Sequence, residues 1–298
     1  MNDILILGGG PAGLTAALYA ARGGKNTLVL AGDRIGGYMA SIDKLENYPG
    51  FLGNGQELAD KMKAQAEMFG AKVVLTSAKL VNKIENGFSV LASDNKEYKT
   101  KSIIIATGAT PKKLEIKGTR EFMGRGVSYC ATCDGFFYTD RDVLVIGGGN
   151  TALNDALYLA NIAKSVKILY RKDSFTRAEK ILIDRVNETQ NISVMWNTEL
   201  DEVGGDNTGV TFAITTNGEK IKCDGVFVAI GHEANTDYLN EDIKRDELGR
   251  LIPSELPAGM FVAGDVRSEL KMQIATAVGT GCECAMDAIA YLNSEEQR

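Results

Sequence analysis

The stretch Asp142-Val143-Leu144-Val145-Ile146-Gly147-Gly148-Gly149-Asn150-Thr151-Ala152 decides the fold, because it repeats the chain's own beginning, Asp3-Ile4-Leu5-Ile6-Leu7-Gly8-Gly9-Gly10-Pro11-Ala12-Gly13. In each copy an apolar run leads into a glycine fingerprint, Gly8-x-Gly10-x-x-Gly13 or Gly147-x-Gly149-x-x-Ala152, and then into an alanine- and leucine-rich stretch. That order predicts a strand, a turn and a helix, which bring backbone N–H groups against a pyrophosphate at a helix N-terminus. A lone fingerprint is weak, since glycines also punctuate ordinary loops. Self-similarity carries more. Asp3 to Leu30 aligns without a gap on Asp142 to Leu169, with Ala17-Leu18-Tyr19 matching Ala156-Leu157-Tyr158. A later pair also corresponds: Ile103-Ile104-Ile105-Ala106-Thr107-Gly108 and Val226-Phe227-Val228-Ala229-Ile230-Gly231.

Outward from the repeat, strand-like and helix-like stretches alternate, which predicts an α/β protein with parallel sheets and helices on their faces. Gln56 to Phe69 reads as an amphipathic helix with Leu58, Met62, Ala66 and Phe69 on one stripe, and Ala178 to Val186 has the same character. The turn Gly108 to Pro111 leads out of the first unit and Gly231 to Asn235 leads back. A last strand, Phe261-Val262-Ala263-Gly264-Asp265, precedes a long helix from about Gln273 to Leu292. The expected architecture is two Rossmann-like nucleotide-binding domains, the second inserted into the first: residues 1–111 and 235–298 around residues 112–234. The polar tail Asn293 to Arg298 is expected to fray.

With 298 residues, 44% of them hydrophobic and 24% charged, the chain has ordinary globular composition and enough length for two cores. A net charge of -6 without a basic cluster argues against nucleic acid as a partner. No apolar run approaches the roughly 18 residues of a membrane span. Met1 leads straight into the first strand, which leaves no room for a signal peptide and predicts a cytoplasmic protein. Five cysteines in a chain of this length are no disulfide framework; in a reducing cytosol a spaced pair is more often catalytic or metal-binding.

The pair that stands out is Cys130-Ala131-Thr132-Cys133, followed by Asp134 and placed just ahead of the second fingerprint. Two close cysteines form a reversible disulfide, and two nucleotide-binding units hold two redox cofactors. Together they describe an electron relay. Zinc needs further ligands. The only histidine is His232, Cys223 stands alone, and Cys282-x-Cys284 has the wrong spacing, so no metal site is expected. A purely structural cysteine pair is the plain alternative.

These residues carry a family likeness. The chain resembles the low-molecular-weight, FAD-containing thioredoxin reductases of the bacterial type, almost end to end. The likeness runs through Gly8 to Gly13, Glu46-Asn47-Tyr48-Pro49-Gly50, Ala106-Thr107-Gly108 and Gly124-Arg125-Gly126-Val127-Ser128. It continues through Cys130 to Tyr138, Gly147 to Ala152, Ala229 to His232 and Gly264-Asp265-Val266. The run Cys130 to Tyr138 upstream of Gly147 to Ala152 is its specific part. The resemblance implies a homodimer with one FAD per subunit in the split outer domain, and NADPH and the cysteine pair on the inserted one. It also implies alternation between two domain orientations and thioredoxin as the substrate.

By the same resemblance, Cys133 faces the flavin, Cys130 exchanges with the substrate disulfide, and Asp134 is general acid and base for the departing thiolate. A carboxyl does this only where partial burial beside a thiolate raises its pKa toward neutrality; the plain alternative is an aspartate capping the next turn. For FAD, the resemblance implies Gly8, Gly10, Pro11, Ala12 and Gly13 at the pyrophosphate and Gly36 and Gly37 in a second flavin loop. There Tyr38 replaces the usual glutamine. Asn47, Thr107, Gly108, Gly264 and Asp265 match flavin- and ribityl-contacting positions, and Gln273, Ile274 and Ala275 the segment whose backbone meets the ring. Met272 stands where an arginine is common. Asp33, twenty residues past Gly13, is a rival ribose acid.

For the donor, Gly147, Gly149, Asn150, Thr151 and Ala152 form the turn. Tyr170-Arg171-Lys172, about twenty residues beyond it, is basic and suits a 2′-phosphate, with Arg177 as a third cation. The family pattern is His-Arg-Arg-x-x-x-Arg. This chain has Tyr170 for histidine, Lys172 for arginine and one extra residue before Arg177, and lysine lacks the bidentate fork of arginine. The expected donor is therefore NADPH with reduced affinity. A family branch that takes electrons from ferredoxin and uses no pyridine nucleotide is the alternative. A thiol oxidase of the same fold and a non-enzymatic redox sensor are further rivals. His232 is read as structural, and Trp196 with Leu182, Arg185 and Val186 as packing or surface.

Overall fold

The computed structural model describes residues 1–42, 45 and 47–295. Glu46 of the Asn47 motif and the end of the tail, residues 296–298, lie outside the described residues. The chain divides into two compact units, Met1–Thr110 with Glu233–Arg298, and Pro111–His232.

The first unit opens with β1 (Asn2–Leu7), whose residues Ile4 to Leu7 are all buried. A continuous buried apolar run is what a strand covered on both faces requires. There follow α1 (Pro11–Arg22), β2 (Thr27–Leu30), α2 (Gly55–Met68), β3 (Lys72–Val74), β4 (Ala78–Ile84), β5 (Gly87–Ala92), β6 (Glu97–Ile105) and β7 (Ala109–Pro111). The main sheet runs β3-β2-β1-β6-β5-β4, with β1 parallel to both β2 and β6. Met260–Val262 adds a strand parallel to β6. The long C-terminal helix, Ile274–Glu295, packs on α1 through Ala277, Cys284, Ala285 and Ala288 against Ala12, Ala16, Ala17 and Ala20.

One expectation needs correction. β4 and β5 follow β6 at the sheet edge as an antiparallel meander and do not extend the parallel array to which β6 belongs. The connections are too short for a crossover helix. β4 and β5 are joined through Glu85 and Asn86 into Gly87 at φ 127°, and the β5–β6 turn holds Asn95 at φ 61°. The α2 stripe is also shorter than expected. Asn54 caps the helix, its side chain accepting from Glu57 N–H at 2.9 Å, and Leu58, Ala59 and Ala66 are buried, but Phe69 lies past the end and is exposed. Asn293 to Glu295 do not fray: they continue the C-terminal helix, and Asn293 accepts from Lys25 Nζ at 2.8 Å.

The second unit contains β8 (Val127–Ser128), α3 (Ala131–Asp134), β9 (Asp142–Ile146), α4 (Asn150–Ala160), β10 (Ser165–Tyr170), α5 (Lys180–Glu188), β11 (Ile192–Trp196), β12 (Leu200–Asp206), β13 (Gly209–Thr215), β14 (Lys220–Lys222) and β15 (Gly225–Val228). Its main sheet is parallel throughout, in the order β11-β10-β9-β15-β8. A separate antiparallel meander joins β12, β13 and β14. β9-α4-β10 reproduces β1-α1-β2, and β15 flanks β9 as β6 flanks β1, so the sequence repeat is a repeat of Rossmann-type architecture.

Both turns need glycine for the same reason. Gly8 has φ 113°, and a Cβ there would stand 2.1 Å from the Ala106 carbonyl oxygen; Gly147 has φ 141°, and a Cβ would stand 2.2 Å from that of Ala229. The later sequence pair is thus the strand end against which each turn closes.

Candidate active site

The redox pair is built by one short segment. The chain leaves β8 at Ser128 and enters α3 at Cys130, the N-cap residue, whose Sγ accepts from the Cys133 N–H at 3.2 Å. Cys130 and Cys133 form a disulfide with their Cα atoms 5.3 Å apart. Cys133 is exposed; Cys130 and Asp134 are half-buried. A sulfur at a helix N-terminus is favoured as thiolate, so Cys130 is the sulfur this turn stabilises once the bond opens. Asp134 ends the helix. Its Oδ2 accepts from Ser128 Oγ–H at 2.6 Å, and Ser128 Oγ accepts in turn from Cys130 N–H at 3.0 Å. The reading of Asp134 as cap of the next turn finds no side-chain bond to Gly135–Tyr138. That turn instead presents Phe136 and Phe137, 77% and 72% exposed, beside the cysteines.

In the first unit, segments far apart in sequence meet at the first glycine turn. Gly36 N–H reaches Gly9 O at 2.8 Å, which sets the Gly36–Gly37 loop beside the fingerprint. Gly264 and Gly281 lie so close to Ala12 that Cβ atoms there would stand 2.9 Å from its Cβ and 2.2 Å from its carbonyl oxygen. Asn47 donates to Gln273 Oε1 at 3.2 Å, so two predicted site residues meet directly. Ile274 and Ala275 open the C-terminal helix just beyond, and Tyr38 lies exposed after Gly37. Thr107 spends its hydroxyl on Asn235 O at 2.7 Å and Tyr238 Oη at 2.9 Å; Asn235 Nδ2 returns a bond to Thr107 O at 2.9 Å. Asn235 and Tyr238 escaped the sequence reading, which marked the segment only as a way back into the unit.

Two observations test this cleft for a flavin nucleotide. The Oδ1 atom of Asp265 is buried without a hydrogen-bond partner, and burial pushes the carboxyl up to about 6. A hydroxyl-rich ribityl chain offers the missing donor. The N-terminus of α1 also lacks a side-chain cap, whereas α2 has one, so its first N–H groups are left for an anion. The residues present fit the group. Asp33, the rival ribose acid, is exposed and accepts from Ser77 Oγ at 3.3 Å.

At the second turn, α4 likewise has no side-chain cap, and a Cβ on Gly149 would meet nothing within 4 Å. Tyr170 lies across the turn, its ring 2.5 Å from where a Gly148 Cβ would stand. It stacks on Phe175 at 5.7 Å, and Trp196 meets Phe175 edge-on at 4.6 Å. Trp196 is thus a packing residue that keeps 38% exposure. Leu182 and Val186 are buried in the α4–α5 core. In the same segment Arg171 and Arg177 are exposed and Lys172 is half-buried. Among the described residues none of the three side chains forms an ion pair. Asn150 is engaged elsewhere: it donates to Glu179 Oε1 at 2.7 Å and accepts from Glu179 N–H at 2.8 Å, tying the start of α4 to that of α5.

Residues 2–281 match the family model of the pyridine nucleotide-disulphide oxidoreductases. The chain belongs to that family. The thioredoxin reductase of Rickettsia conorii is 41% identical over 98% of each chain, and that of Vibrio cholerae 41% identical over 99% of this chain and 98% of its own. The crystal structure of Lactococcus lactis thioredoxin reductase superposes with a TM-score of 0.94 at 36% identity, covering 99% of this chain and 100% of the other.

In this oxidoreductase the remaining thiols are set apart. Cys223 and Cys284 are buried, and burial pushes each thiol up to about 12; Cys284 donates to Val262 O at 3.1 Å. Cys282 lies 3.9 Å from Met286 Sδ. His232 ends the second unit, and burial lowers its pKa, so the ring is neutral at pH 7. One titrating group was missed. Burial pushes the carboxyl of Asp155, in α4, up to about 7. Its signal was available, since Asp155 falls on the helical face of Ala152, Ala156 and Leu159, all fully buried. Among the described residues no cluster of metal-ligating side chains forms, and no helix is long and apolar enough to cross a membrane.

Proposed function

We propose that the chain is a flavoprotein thioredoxin-disulfide reductase: NADPH gives electrons to FAD in the first unit, and the Cys130–Cys133 pair of the second hands them to thioredoxin. The observation that carries this reading is a disulfide on a helix N-terminus, one segment ahead of a nucleotide turn, in a chain that repeats that turn. Bound FAD supplies two electrons at a time. Gly8, Gly10, Pro11, Ala12 and Gly13 would hold its pyrophosphate, Gly264 and Asp265 its ribityl chain, and Gly36, Gly37, Tyr38, Asn47, Thr107, Gly108, Gln273, Ile274 and Ala275 the rest of the cleft. Gly147, Gly149, Thr151 and Ala152 would seat NADPH, with Arg171, Lys172 and Arg177 on its 2′-phosphate. Asn150 would serve through Glu179.

Two electrons open the Cys130–Cys133 bond and leave a dithiol whose Cys130 is a thiolate. Cys130 Sγ attacks one sulfur of the thioredoxin disulfide. A mixed disulfide forms, the substrate bond breaks, and the departing sulfur takes a proton from Asp134. Cys133 then gives its proton to Asp134 and attacks Cys130 Sγ, which restores the disulfide; the second substrate sulfur leaves as a thiolate and takes a proton from water. Phe136 and Phe137, apolar and exposed, suit a protein substrate over a small thiol.

A homodimer is part of the proposal. Tyr19 and Met286, both exposed on the first unit, border Cys282 and give an apolar patch for it, which sedimentation tests. The free Cys282 suits a reducing, cytosolic compartment. The deciding experiment is anaerobic titration with NADPH, then NADH, then reduced ferredoxin, following the flavin absorbance. Bleaching by NADPH supports the reading. Bleaching by ferredoxin alone, a donor the altered Tyr170–Lys172 segment leaves open, replaces NADPH and leaves the disulfide chemistry in place. Rapid oxygen consumption without thioredoxin reduction identifies a thiol oxidase.

A further inference from the structure

The contact that the disulfide chemistry does not yet use is Ser128. It is 3% exposed, and β8 pairs with β15 through Ser128 opposite Phe227, which fixes its backbone. Its hydroxyl lies between three polar groups: Asp134 Oδ2 at 2.6 Å, Cys130 N at 3.0 Å and Cys130 O at 3.3 Å. A hydroxyl has one proton to give and two lone pairs to accept with. The Cys130 N–H occupies a lone pair. The proton goes to the shorter acceptor, Asp134 Oδ2. One buried hydroxyl thus joins the backbone of the first cysteine to the carboxyl that closes the same helix.

The two oxygens of Asp134 are therefore not equivalent. Oδ2 is held as an acceptor by a group that has no second proton to offer. A proton carried by Asp134 sits on Oδ1. Without the hydroxyl, the carboxyl rotates about its side-chain bonds and the Cys130 N–H loses its acceptor together with it.

We propose that Ser128 is the positioning residue of the dithiol: it holds Asp134 by Oδ2 and leaves Oδ1 as the oxygen that gives up the proton when the thioredoxin sulfur departs. This rests on the reading that Asp134 is the acid of that step. The step balances: the Cys130–substrate bond forms, the substrate disulfide breaks, its electron pair stays on the leaving sulfur, and the proton moves from Oδ1 to that sulfur.

The test is a set of variants at both positions, each checked first for normal bound-flavin absorbance. Ser128→Ala is expected to lower thioredoxin turnover by about ten-fold, part of what positioned proton transfer contributes. Ser128→Thr and Ser128→Val have the same shape and both suit a strand; Thr should recover most of the turnover and Val should not. In an Asp134→Asn background, Ser128→Ala should cost nothing more, because coupled residues are non-additive. The proposal is overturned if Thr and Val behave alike, or if Ser128→Ala loses the same factor with and without the Asp134 carboxyl, which is the mark of a merely structural residue. Should Asp134→Asn alone leave turnover unchanged, the reading of Asp134 fails and takes the role of Ser128 with it. Should Asp134→Asn lower turnover while the serine variants do not, that reading stands and only the positioning role is lost.

Discussion

At the first glycine turn the surroundings close in. A Cβ on Gly13 would stand 1.9 Å from the Gly8 carbonyl oxygen, and Gly264 and Gly281 crowd Ala12 from the other side. At the second turn the strand side is as tight, with Gly147 against Ala229 and Gly148 against Tyr170, and only the helix side stands back: the residue aligned with Gly13 is Ala152, whose methyl group the turn accepts. Asp265 in the first unit has a buried oxygen without a hydrogen-bond partner, while Arg171 and Arg177 of the second stand in solvent. The same strand, turn and helix is packed more tightly on its helix side in one copy than in the other. An enclosed, preorganised site suits a group held through many turnovers, and an open one suits a group that must exchange.

The strongest way to break this comparison is to remove what both turns serve. Cys133→Ser should keep its flavin and still be reduced by the donor, yet lose thioredoxin turnover completely. Cys130→Ser should leave a thiolate at Cys133 and show a long-wavelength absorbance band. If that band arises in Cys133→Ser instead, the two sulfur roles are reversed. Replacing Cys223, Cys282 or Cys284 by Ser should leave turnover within a few-fold.

Next in size is an exchange between the turns. Gly13→Ala drives a methyl group into backbone and should yield protein without flavin and a melting temperature lower by about ten degrees or more. Its mirror, Ala152→Gly, should cost no more than about 1 kcal/mol, the usual helix-propensity difference, and retain flavin. Equal effects would mean that the difference in packing has no energetic counterpart.

The open site is sharpened at Arg171. Losing a hydrogen-bonded phosphate contact costs about 1.5–3 kcal/mol. Arg171→Ala should therefore raise the Michaelis constant for NADPH about ten-fold or more and leave that for NADH unchanged, since NADH has no 2′-phosphate. A parallel rise for both nucleotides removes Arg171 from the phosphate.

The smallest effects are in pH. Asp155 and Asp265 have folded values of about 7 and about 6, above the ordinary carboxylate range, so each favours folding most at low pH and loses that contribution as pH rises through its folded value. Asp155→Asn should stabilise the protein by a few degrees at pH 8 and by nothing at pH 4, with or without flavin. Asp265→Asn should do the same above pH 6 only in flavin-free protein, because in the proposed reading a bound flavin would give that oxygen its donor. Identical pH curves for the two variants in loaded protein argue against a flavin donor at Asp265.

How far the sequence spoke for itself varies with the kind of contact. The repeat was legible because buried parallel strands and glycine turns have a composition that local reading detects, and the cysteine pair because its spacing is local. The antiparallel meander β4–β5–β6 was read as more of the alternating pattern, although Asn86-Gly87 at the β4–β5 turn is a strong hairpin dipeptide that the reading passed over. Ser128 appeared in a matched motif but with no role. Its partner Asp134 is six residues away, across the entry into α3, and only the backbone geometry aims the hydroxyl. Asn150 with Glu179, and Thr107 with Asn235 and Tyr238, join residues far apart in the chain by one or two hydrogen bonds each. Such pairs leave no periodicity to find.

Trp196 is the chain's one tryptophan. Strand register sets it beside Tyr170, its edge lies against Phe175, and part of the indole remains in water. The molecule therefore carries its own lamp at the loop after Tyr170. Whatever seats itself among Arg171, Lys172 and Arg177, or stirs the loop that bears them, alters an indole emission that no other residue contributes, and the colour and brightness of that light read out the loop without any added dye.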